Sequence, residues 1–432
     1  CWSSSRAAPP TWPVWQSSGS CWGVHKVSEV KKVPEIRFEG FAEPWEQRKF
    51  SDVVQIERGG SPRPIDDYIT DSQDGLNWVK IGDAPAQGHY ITKTAEKIKP
   101  EGLSKTREAH PGDLILSNSM SFGKPYIMGI DGCIHDGWLL IRDTNKTFDL
   151  TFLCHLLGTP QMLDQYRSLA AGSTVNNLNK ELVGNTVVTI PKIDEQRILG
   201  RYLERLDNLI TLHQRKYDKL VVLKKAMLEK MFPPKGNNVP EVRFAGFTDP
   251  WEQRKVGDIT IESSEYANLE AGYPLLTSSR AGLMYQNEYR GNLTTNSKET
   301  LFSVVPIGAC TYRHMSDDDV FHLNVNALEK GLVSREYPVF FASEGTRLDF
   351  IVQYINSSVS FRAFCAEQKK GGTRTRLYYN ALCEFKMMVP SQREQDAIAD
   401  FFLKLDNLIT LQQRKYESLK HIKAALLQKM FV

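Results

Sequence analysis

The sequence lacks the cysteine spacing of a metal-binding or disulfide-stabilised protein. Its seven cysteines are odd in number, scattered, and never spaced as CxxC, which argues against a zinc site and against a disulfide framework. No apolar run is long enough to span a bilayer. We therefore expect a soluble protein of the reducing cytoplasm.

An excess of charge of one sign is also missing. The 54 basic and 51 acidic residues leave a net charge of only +3, so a nucleic-acid partner would have to be bound by local basic patches. The hydrophobic content of 41% is that of a folded globular protein. A chain of 432 residues exceeds one ordinary hydrophobic core, which predicts at least two domains.

Motifs for catalysis are absent as well. The sequence has no GxxxxGK[ST] phosphate loop, no Asn-Pro-Pro-aromatic or Asp-Pro-Pro-aromatic tetrad, and no glycine-rich strand-to-helix turn for a nucleotide. Its histidines show no metal-ligand or nucleophile spacing. The run Asp317-Asp318-Asp319 could bind a cation, but a solvated loop is the favoured interpretation. We expect no catalytic residue and no metal ligand in this chain.

The chain does contain an internal duplication. "LDNLITLHQRKY" at 206–217 returns as "LDNLITLQQRKY" at 405–416, and "VPEIRFEGFAEPWEQRK" at 33–49 returns as "VPEVRFAGFTDPWEQRK" at 239–255. The blocks between these repeats have unequal lengths and little similarity. The pattern predicts a repeated frame that holds two divergent interiors.

Each repeat ends in a predicted helix of about forty residues that begins after Pro191 or Pro390. Apolar residues recur every three or four positions and form the predicted helix-pairing seam: Leu203, Leu206, Ile210, Tyr217, Leu220 and Met227 in the first helix, and Phe402, Leu405, Ile409, Tyr416, Leu419 and Leu426 in the second. We expect the two helices to pack antiparallel as a coiled coil, with homodimerisation through this seam as the alternative. Ser391 and Glu394 form a capping-box pattern at the second helix.

The predicted fold class is therefore α+β, with two mixed α/β domains separated by two long helices in a pseudo-two-fold internal repeat. The expected boundaries are 1–32 for a disordered or misassigned N-terminal extension, 33–191 for the first domain, 192–232 for the first helix, 233–238 for a linker, 239–390 for the second domain and 391–432 for the second helix.

From about Val33 to Val432 the chain resembles the specificity subunit of type I restriction-modification systems. The resemblance is carried by the order and duplication of several motifs: twin "PWEQRK" and "LDNLITL" segments, "WVKIGD" (78–83), "PGDLILSN" (111–118), "GSTVNNLNKEL" (172–182) and "IPKIDEQRIL" (190–199). The second block has no equivalent of "WVKIGD", which leaves open whether its early strands match those of the first.

This resemblance implies a non-catalytic reader of double-stranded DNA whose two target recognition domains each read one part of a bipartite sequence. It also implies partners: methyltransferase subunits that carry S-adenosylmethionine, and restriction and translocase subunits that use ATP and Mg²⁺. The chain itself would hold no cofactor.

Candidate DNA contacts follow from side-chain chemistry. Arginines at 374 and 376 in "KKGGTRTRLYYN" (369–380) can each make two hydrogen bonds to guanine, and asparagines in "AAGSTVNNLNK" (170–180) suit adenine. The full set of candidates is Lys369, Lys370, Thr373, Arg374, Arg376, Ser173, Thr174, Asn176, Asn177, Ser117, Asn118, Ser119, Lys124, Ser279, Arg280 and Arg313. Ordinary surface loops with solvated charge are the alternative.

Two other functions remain open on the sequence. One is a coiled-coil scaffold that presents two protein- or ligand-binding modules, and the other is a nuclease or methyltransferase fused to recognition domains. A DNA reader should bind duplex DNA with an affinity that falls as salt rises, because neutralised phosphates release counterions, whereas the scaffold should not bind in this way.

Overall fold

The computed structural model describes residues 15–17, 33–118, 122–170, 177–290, 299–369 and 373–432. The expected N-terminal extension lies outside these ranges apart from strand Trp15–Ser17, which pairs antiparallel with Ile36–Phe38. The chain divides into two compact units. Unit 1 comprises Cys1–Arg215 and Gln413–Val432, and unit 2 comprises Lys216–Gln412. Among the described residues, no helix is both long and apolar enough to cross a membrane.

Unit 1 contains two five-stranded mixed sheets. The first has the order Gln55–Arg58, Trp138–Arg142, Leu114–Ser117, Pro125–Met128, Tyr90–Ile91, and the second has the order Ile69–Thr70, Glu96–Ile98, Leu76–Val79, Gly132–Ile134, Arg107–Ala109. Helices Leu150–Leu157, Pro160–Ala170 and Lys180–Gly184 follow, and four 3-10 turns lie at Phe50–Asp52, Ile65–Asp67, Ile81–Asp83 and Pro100–Lys105. The "WVKIGD" motif supplies a central strand of the second sheet.

Unit 2 is built from smaller sheets. One has the order Thr260–Glu262, Val339–Ala342, Cys310–Thr311, Asn324–Val325, and another has the order Tyr266–Ala267, Phe302–Val305, Gly331–Ser334. Two ribbons pair Leu276–Ser279 with Gly282–Tyr285 and Met315–Ser316 with Thr375–Arg376. The shorter helical segments are Val256–Ile259, Leu269–Ala271, Gln286–Arg290, Leu348–Ser357, Val359–Glu367 and Tyr379–Cys383. The two interiors therefore differ in strand order as well as in sequence.

The two long helices have the same length, at Ile193–Lys230 and Gln392–Lys429. Each carries at least one acidic residue in its first turn and a lysine in its last, which suits the helix dipole. Pro233 and Pro234 follow the first helix and cannot continue it. All twelve predicted seam residues are buried or half-buried.

Within each unit the two helices run antiparallel. In unit 1, Thr189 just before the first helix donates to the carbonyl of Val432, while Asp207 further along pairs with Lys423. In unit 2, Phe232, just after the end of the first helix, stacks on Phe402 near the start of the second. Lys224 of the first helix pairs with Asp406 of the second. The coiled-coil direction expected from the repeat is therefore present in both units.

The border repeats form the same frame in both units. Strand Glu46–Lys49 pairs with Val187–Ile190, and Glu252–Lys255 pairs with Lys386–Val389. The tryptophans of the two "PWEQRK" segments, Trp45 and Trp251, are buried. Each contacts the phenylalanine that follows the end of a long helix, Phe431 in unit 1 and Phe232 in unit 2.

A buried ion pair anchors each border to the first turn of a long helix. Arg37 donates two hydrogen bonds to Glu195 at 2.7 and 2.8 Å, and Arg243 donates two to Glu394, both at 2.6 Å. The glutamates are only 1% exposed. The sequence pattern predicted that Glu394 forms a capping box with Ser391. In the structure its carboxylate instead binds Arg243. Such bidentate pairs fix geometry when both charges leave water together.

Candidate nucleic-acid interface

In unit 2 the fold brings three distant segments to one surface. The ribbon of Met315–Ser316 and Thr375–Arg376 places the loop 313–319 beside the loop 373–376. Arg374 Nε lies 2.7 Å from Asp317 Oδ1. Arg280, at the turn of its hairpin, forms an ion pair with Asp318. We name this group of Arg280, Arg313, Arg374, Arg376 and the three aspartates the arginine surface.

The acidic run 317–319 supplies counterions to this surface. Hydrogen bonds from Arg280 and Ser316 lower the pKa of Asp318 below its usual value. Thr375, which is buried, donates its hydroxyl to Asp319. The favoured interpretation of this run was a solvated loop. The structure shows an exposed loop whose aspartates pair with the arginines and the threonine.

The remaining candidates of unit 2 are mostly exposed. Lys369, Thr373, Arg374, Arg376, Arg280 and Arg313 all reach solvent. Ser279 is half-buried and its hydroxyl donates to the carbonyl of Gly282, so it shapes the hairpin turn that presents Arg280. Lys370 lies outside the described residues.

Beside the arginine surface, Tyr378 is exposed and stacks on the buried His314, with ring centroids 5.5 Å apart. Burial lowers the pKa of His314; Glu336 opposes this lowering, and Arg376 and Arg313 add to it. The ring is therefore neutral at pH 7, and the stack presents an aromatic face next to the arginines.

In unit 1 the two candidate loops also converge. The backbone N–H of Leu178 donates to the carbonyl of Asn118 at 3.0 Å, which ties the loop before helix Lys180–Gly184 to the end of strand Leu114–Ser117. Asn177 and Lys124 are exposed on these two loops. Ser119, Ser173, Thr174 and Asn176 lie outside the described residues.

Ser117 and Asn118 occupy interior positions. Ser117 is fully buried and its hydroxyl accepts from the backbone of Lys124. Asn118 is 4% exposed and its amide donates to the carbonyl of Asp136. These contacts shape the loops, and in this conformation neither side chain reaches solvent.

Two arginines next to Asn118 were not among the sequence-predicted contacts. Arg58 Nε donates to the carbonyl of Asp136, and Arg63 Nη2 lies 3.5 Å from its carboxylate. Both arginines are exposed. The sequence signal for them was weak, because each stands alone in a short segment and only the fold brings them beside Asn118.

Both units can therefore present hydrogen-bond donors on loops backed by sheets. Arginine can donate to guanine O6 and N7, while lysine, arginine and backbone N–H groups can bind phosphate. The donors differ between the units, with paired arginines in unit 2 and Asn177, Lys124, Arg58 and Arg63 in unit 1.

Comparison with known proteins agrees with the fold. The family model described as the type I restriction modification DNA specificity domain matches residues 42–221 and 332–421. The type I restriction enzyme MjaVIII specificity subunit of Methanocaldococcus jannaschii is 21% identical over 416 residues, covering 89% of this chain and 91% of that protein. The putative type I restriction enzyme MjaX specificity subunit of the same organism is 22% identical, covering 93% and 94%.

A solved structure has the same fold. The type I restriction-modification system S subunit from M. genitalium superposes with a TM-score of 0.60 at 13% identity, covering 93% of this chain and 99% of that one. The two frames, the two sheet-based interiors and the paired long helices define a duplicated α+β protein of the specificity-subunit class. This chain belongs to the type I restriction-modification DNA specificity family.

Proposed function

We propose that the chain reads a two-part DNA target, one part with each unit, and directs catalytic partners to it. The observation that carries the proposal is the arginine surface, where three segments distant in sequence converge with their charged ends exposed. Each unit presents different donors on a common frame, so each would select different bases. Because the described cysteines are all free, which suits a reducing compartment, we place the protein in the cytoplasm.

Catalysis is assigned to partners rather than to this chain. Methyltransferase subunits with S-adenosylmethionine, and restriction and translocase subunits with ATP and Mg²⁺, would supply methylation and cleavage. Partners shared among different specificities must bind the parts that do not vary. The long helices offer such parts, since Leu209 and Leu212 are 44% and 45% exposed and their repeat equivalents Leu408 and Leu411 are 46% and 45% exposed.

Basic residues flank these exposed leucines in both repeats. Arg215 and Lys216 in the first helix, and Arg414 and Lys415 in the second, are all exposed. An apolar pair bordered by charge is typical of the centre and rim of a protein interface. The matched positions support one partner of the same kind on each helix.

The arginine surface can be tested by substitution. Arg374→Ala and Arg376→Ala, combined, should weaken binding of the partner-bound complex to a DNA with both half-sites. Removing one bidentate arginine–guanine pair costs about 1–3 kcal/mol, or roughly 5- to 150-fold in affinity. Base changes in one half-site should then no longer matter, while the other half-site keeps its full effect.

The matched control is Lys225→Ala, an exposed cation on the first long helix. It should leave base preference at both half-sites unchanged. Equal loss at both half-sites in the Arg374/Arg376 variant would contradict the assignment of the arginine surface to one part of the target.

The unread gap between the half-sites supplies a second test. Inserting one base pair rotates one half-site by about 34° and moves it by about 3.4 Å, so specific binding should fall sharply if the gap has one permitted length. Affinity that is unchanged across gap lengths, or that does not depend on salt, would favour the scaffold alternative.

A further inference from the structure

Three side chains of unit 1 converge outside the candidate DNA surfaces. His89 precedes strand Tyr90–Ile91, His155 lies on helix Leu150–Leu157, and Asp207 lies on the first long helix. Their ligand atoms all lie within 4.8 Å of one another. His89 Nε2 is 3.0 Å and His155 Nε2 is 3.7 Å from the same oxygen, Asp207 Oδ2.

The other oxygen of this carboxylate is occupied. Lys423 Nζ lies 2.5 Å from Asp207 Oδ1, so the lysine holds the oxygen that the histidines do not contact. Metal-ligating carboxylates are commonly oriented by such an outer hydrogen bond. The distance of 3.7 Å between His155 Nε2 and Asp207 Oδ2 is longer than a hydrogen bond. A metal ion placed between these two atoms would be coordinated by both.

A small cavity adjoins the three side chains. It has a volume of about 50 Å³ and is also lined by Thr151, Glu204 and Asn208. A cavity of this size can hold one water molecule, which needs only about 10–15 Å³ of such space. Two imidazoles, one carboxylate and one water form a four-ligand set that suits Zn²⁺.

We propose that His89, His155 and Asp207 form a Zn²⁺ site that clamps the interior of unit 1 to the first long helix. This goes beyond the expectation that the chain holds no metal ligand.

Unit 2 contains a natural counterpart without the histidine. Gln196 and Gln395 are equivalent residues of the two long helices. The side chain of Gln196 accepts from the backbone N–H of Asp149, and that of Gln395 accepts from the backbone N–H of Arg347. Asp149 and Arg347 are therefore equivalent, and so are the helices Leu150–Leu157 and Leu348–Ser357 that follow them. In this alignment Gln353 takes the place of His155, and its amide donates to Asp406 at 3.3 Å. An amide nitrogen is not a zinc ligand, so the described residues at this equivalent position of unit 2 do not form the same ligand set.

The test compares the metal-free full chain with the His155→Gln variant, which copies the residue that unit 2 uses. Titration with Zn²⁺ should show one site in the wild type and a rise in melting temperature, because a bound ion stabilises the folded state. The variant should bind at least about 100-fold more weakly, since even loss of an outer partner of a ligand costs about 10- to 100-fold.

His110→Gln is the matched control. His110 lies in the same unit and pairs with Asp131 at 2.8 Å, but it is exposed and belongs to no cluster of three ligands among the described residues. This variant should bind Zn²⁺ like the wild type. Equal uptake by wild type and His155→Gln, or no uptake by the wild type, would overturn the proposal.

X-ray absorption of the zinc-loaded wild type keeps the proposal testable even if His155→Gln does not fold. Scattering from two imidazoles, with nitrogen and oxygen neighbours at about 2.0–2.2 Å, is expected. A zinc environment without imidazole scattering would show that the ion sits elsewhere.

Discussion

Units 1 and 2 share their frame and differ in their interiors. The ion pairs Arg37–Glu195 and Arg243–Glu394 have the same bidentate geometry and the same burial. The pairs Lys423–Asp207 and Lys224–Asp406 recur at equivalent places in the long helices. The strand order of the interior sheets does not recur. The duplication has thus kept the interactions that join border to helix, while those that shape the loops have diverged.

The equivalent aspartates show how a shared ion pair can acquire different neighbours. Asp207 is 14% exposed and meets two histidines as well as Lys423, whereas Asp406 is 37% exposed and meets Gln353. The pair Lys423–Asp207 therefore lies in a half-buried cluster of charged and ionisable groups, while the equivalent pair Lys224–Asp406 is more exposed to solvent.

The largest effect should come from breaking the frame. Arg37→Met leaves Glu195 buried without its partner and should destabilise unit 1 by about 3–5 kcal/mol, and Arg243→Met should do the same in unit 2. Hydrogen exchange resolved by segment would locate each effect. The exposed pair Arg48–Glu46 is the control, since Arg48→Met should cost under about 1 kcal/mol.

A clear difference between the effects of Arg37→Met and Arg243→Met would break the comparison. It would mean that the two frames, although alike in geometry, do not contribute alike to stability. Restoring neutrality with Glu195→Gln in the Arg37→Met background should recover part of the stability of unit 1.

A smaller effect separates the two aspartates. In the presence of a chelator, Asp207→Asn should destabilise unit 1 by about 2–3 kcal/mol, because His89 and Lys423 lose their shared half-buried counterion. Asp406→Asn should cost under about 1 kcal/mol, because its pair is more exposed. Urea unfolding of both variants measures the difference, and equal costs would contradict the interpretation.

The smallest effect concerns acid stability in unit 2. The pKa of His314 is lowered by burial, so its contribution is present above the unfolded value of about 6.5 and is lost as the pH falls below it. His314→Phe keeps an aromatic partner for Tyr378 and should flatten the acid-side fall in the stability of unit 2. Thermal unfolding at several pH values tests this, with His110→Gln in unit 1 as the control. An unchanged acid-side fall in His314→Phe would assign the pH dependence to other groups.

The two units also differ in the direction in which the pKa of a histidine near a carboxylate is shifted. Burial lowers the pKa of His89 in unit 1, but hydrogen bonds with Asp207 and Cys154 outweigh it and raise the pKa to about 10. His314 in unit 2 has a lowered pKa because burial dominates. The two histidines therefore carry different charges at pH 7, because hydrogen bonds outweigh burial at His89, whereas burial outweighs the attraction of Glu336 at His314.

Local sequence patterns predicted the parts of the structure that depend on the spacing of apolar residues along the chain. The seam spacing predicted two long helices, and the structure has two of 38 residues each. The twin borders predicted a duplicated frame. Both follow from the sequence because a helix and its apolar stripe are set by residues three and four apart.

Contacts between distant residues did not follow from local patterns. Arg374 and Asp317 were predicted separately, as a DNA contact and as part of a solvated loop, and only the ribbon of Met315–Ser316 with Thr375–Arg376 shows that they pair. Likewise, Ser117 and Asn118 had the composition of an exposed loop, yet strand packing buries them.

The sequence by itself determined the duplication, the helical seam and the family, because these are written as repeats and periods along the chain. The tertiary structure decided which charges meet. Whether Arg374 pairs with Asp317, and whether His89 and His155 converge on Asp207, depends on strands and helices far apart in sequence. Long-range packing alone brings such side chains within reach of one another.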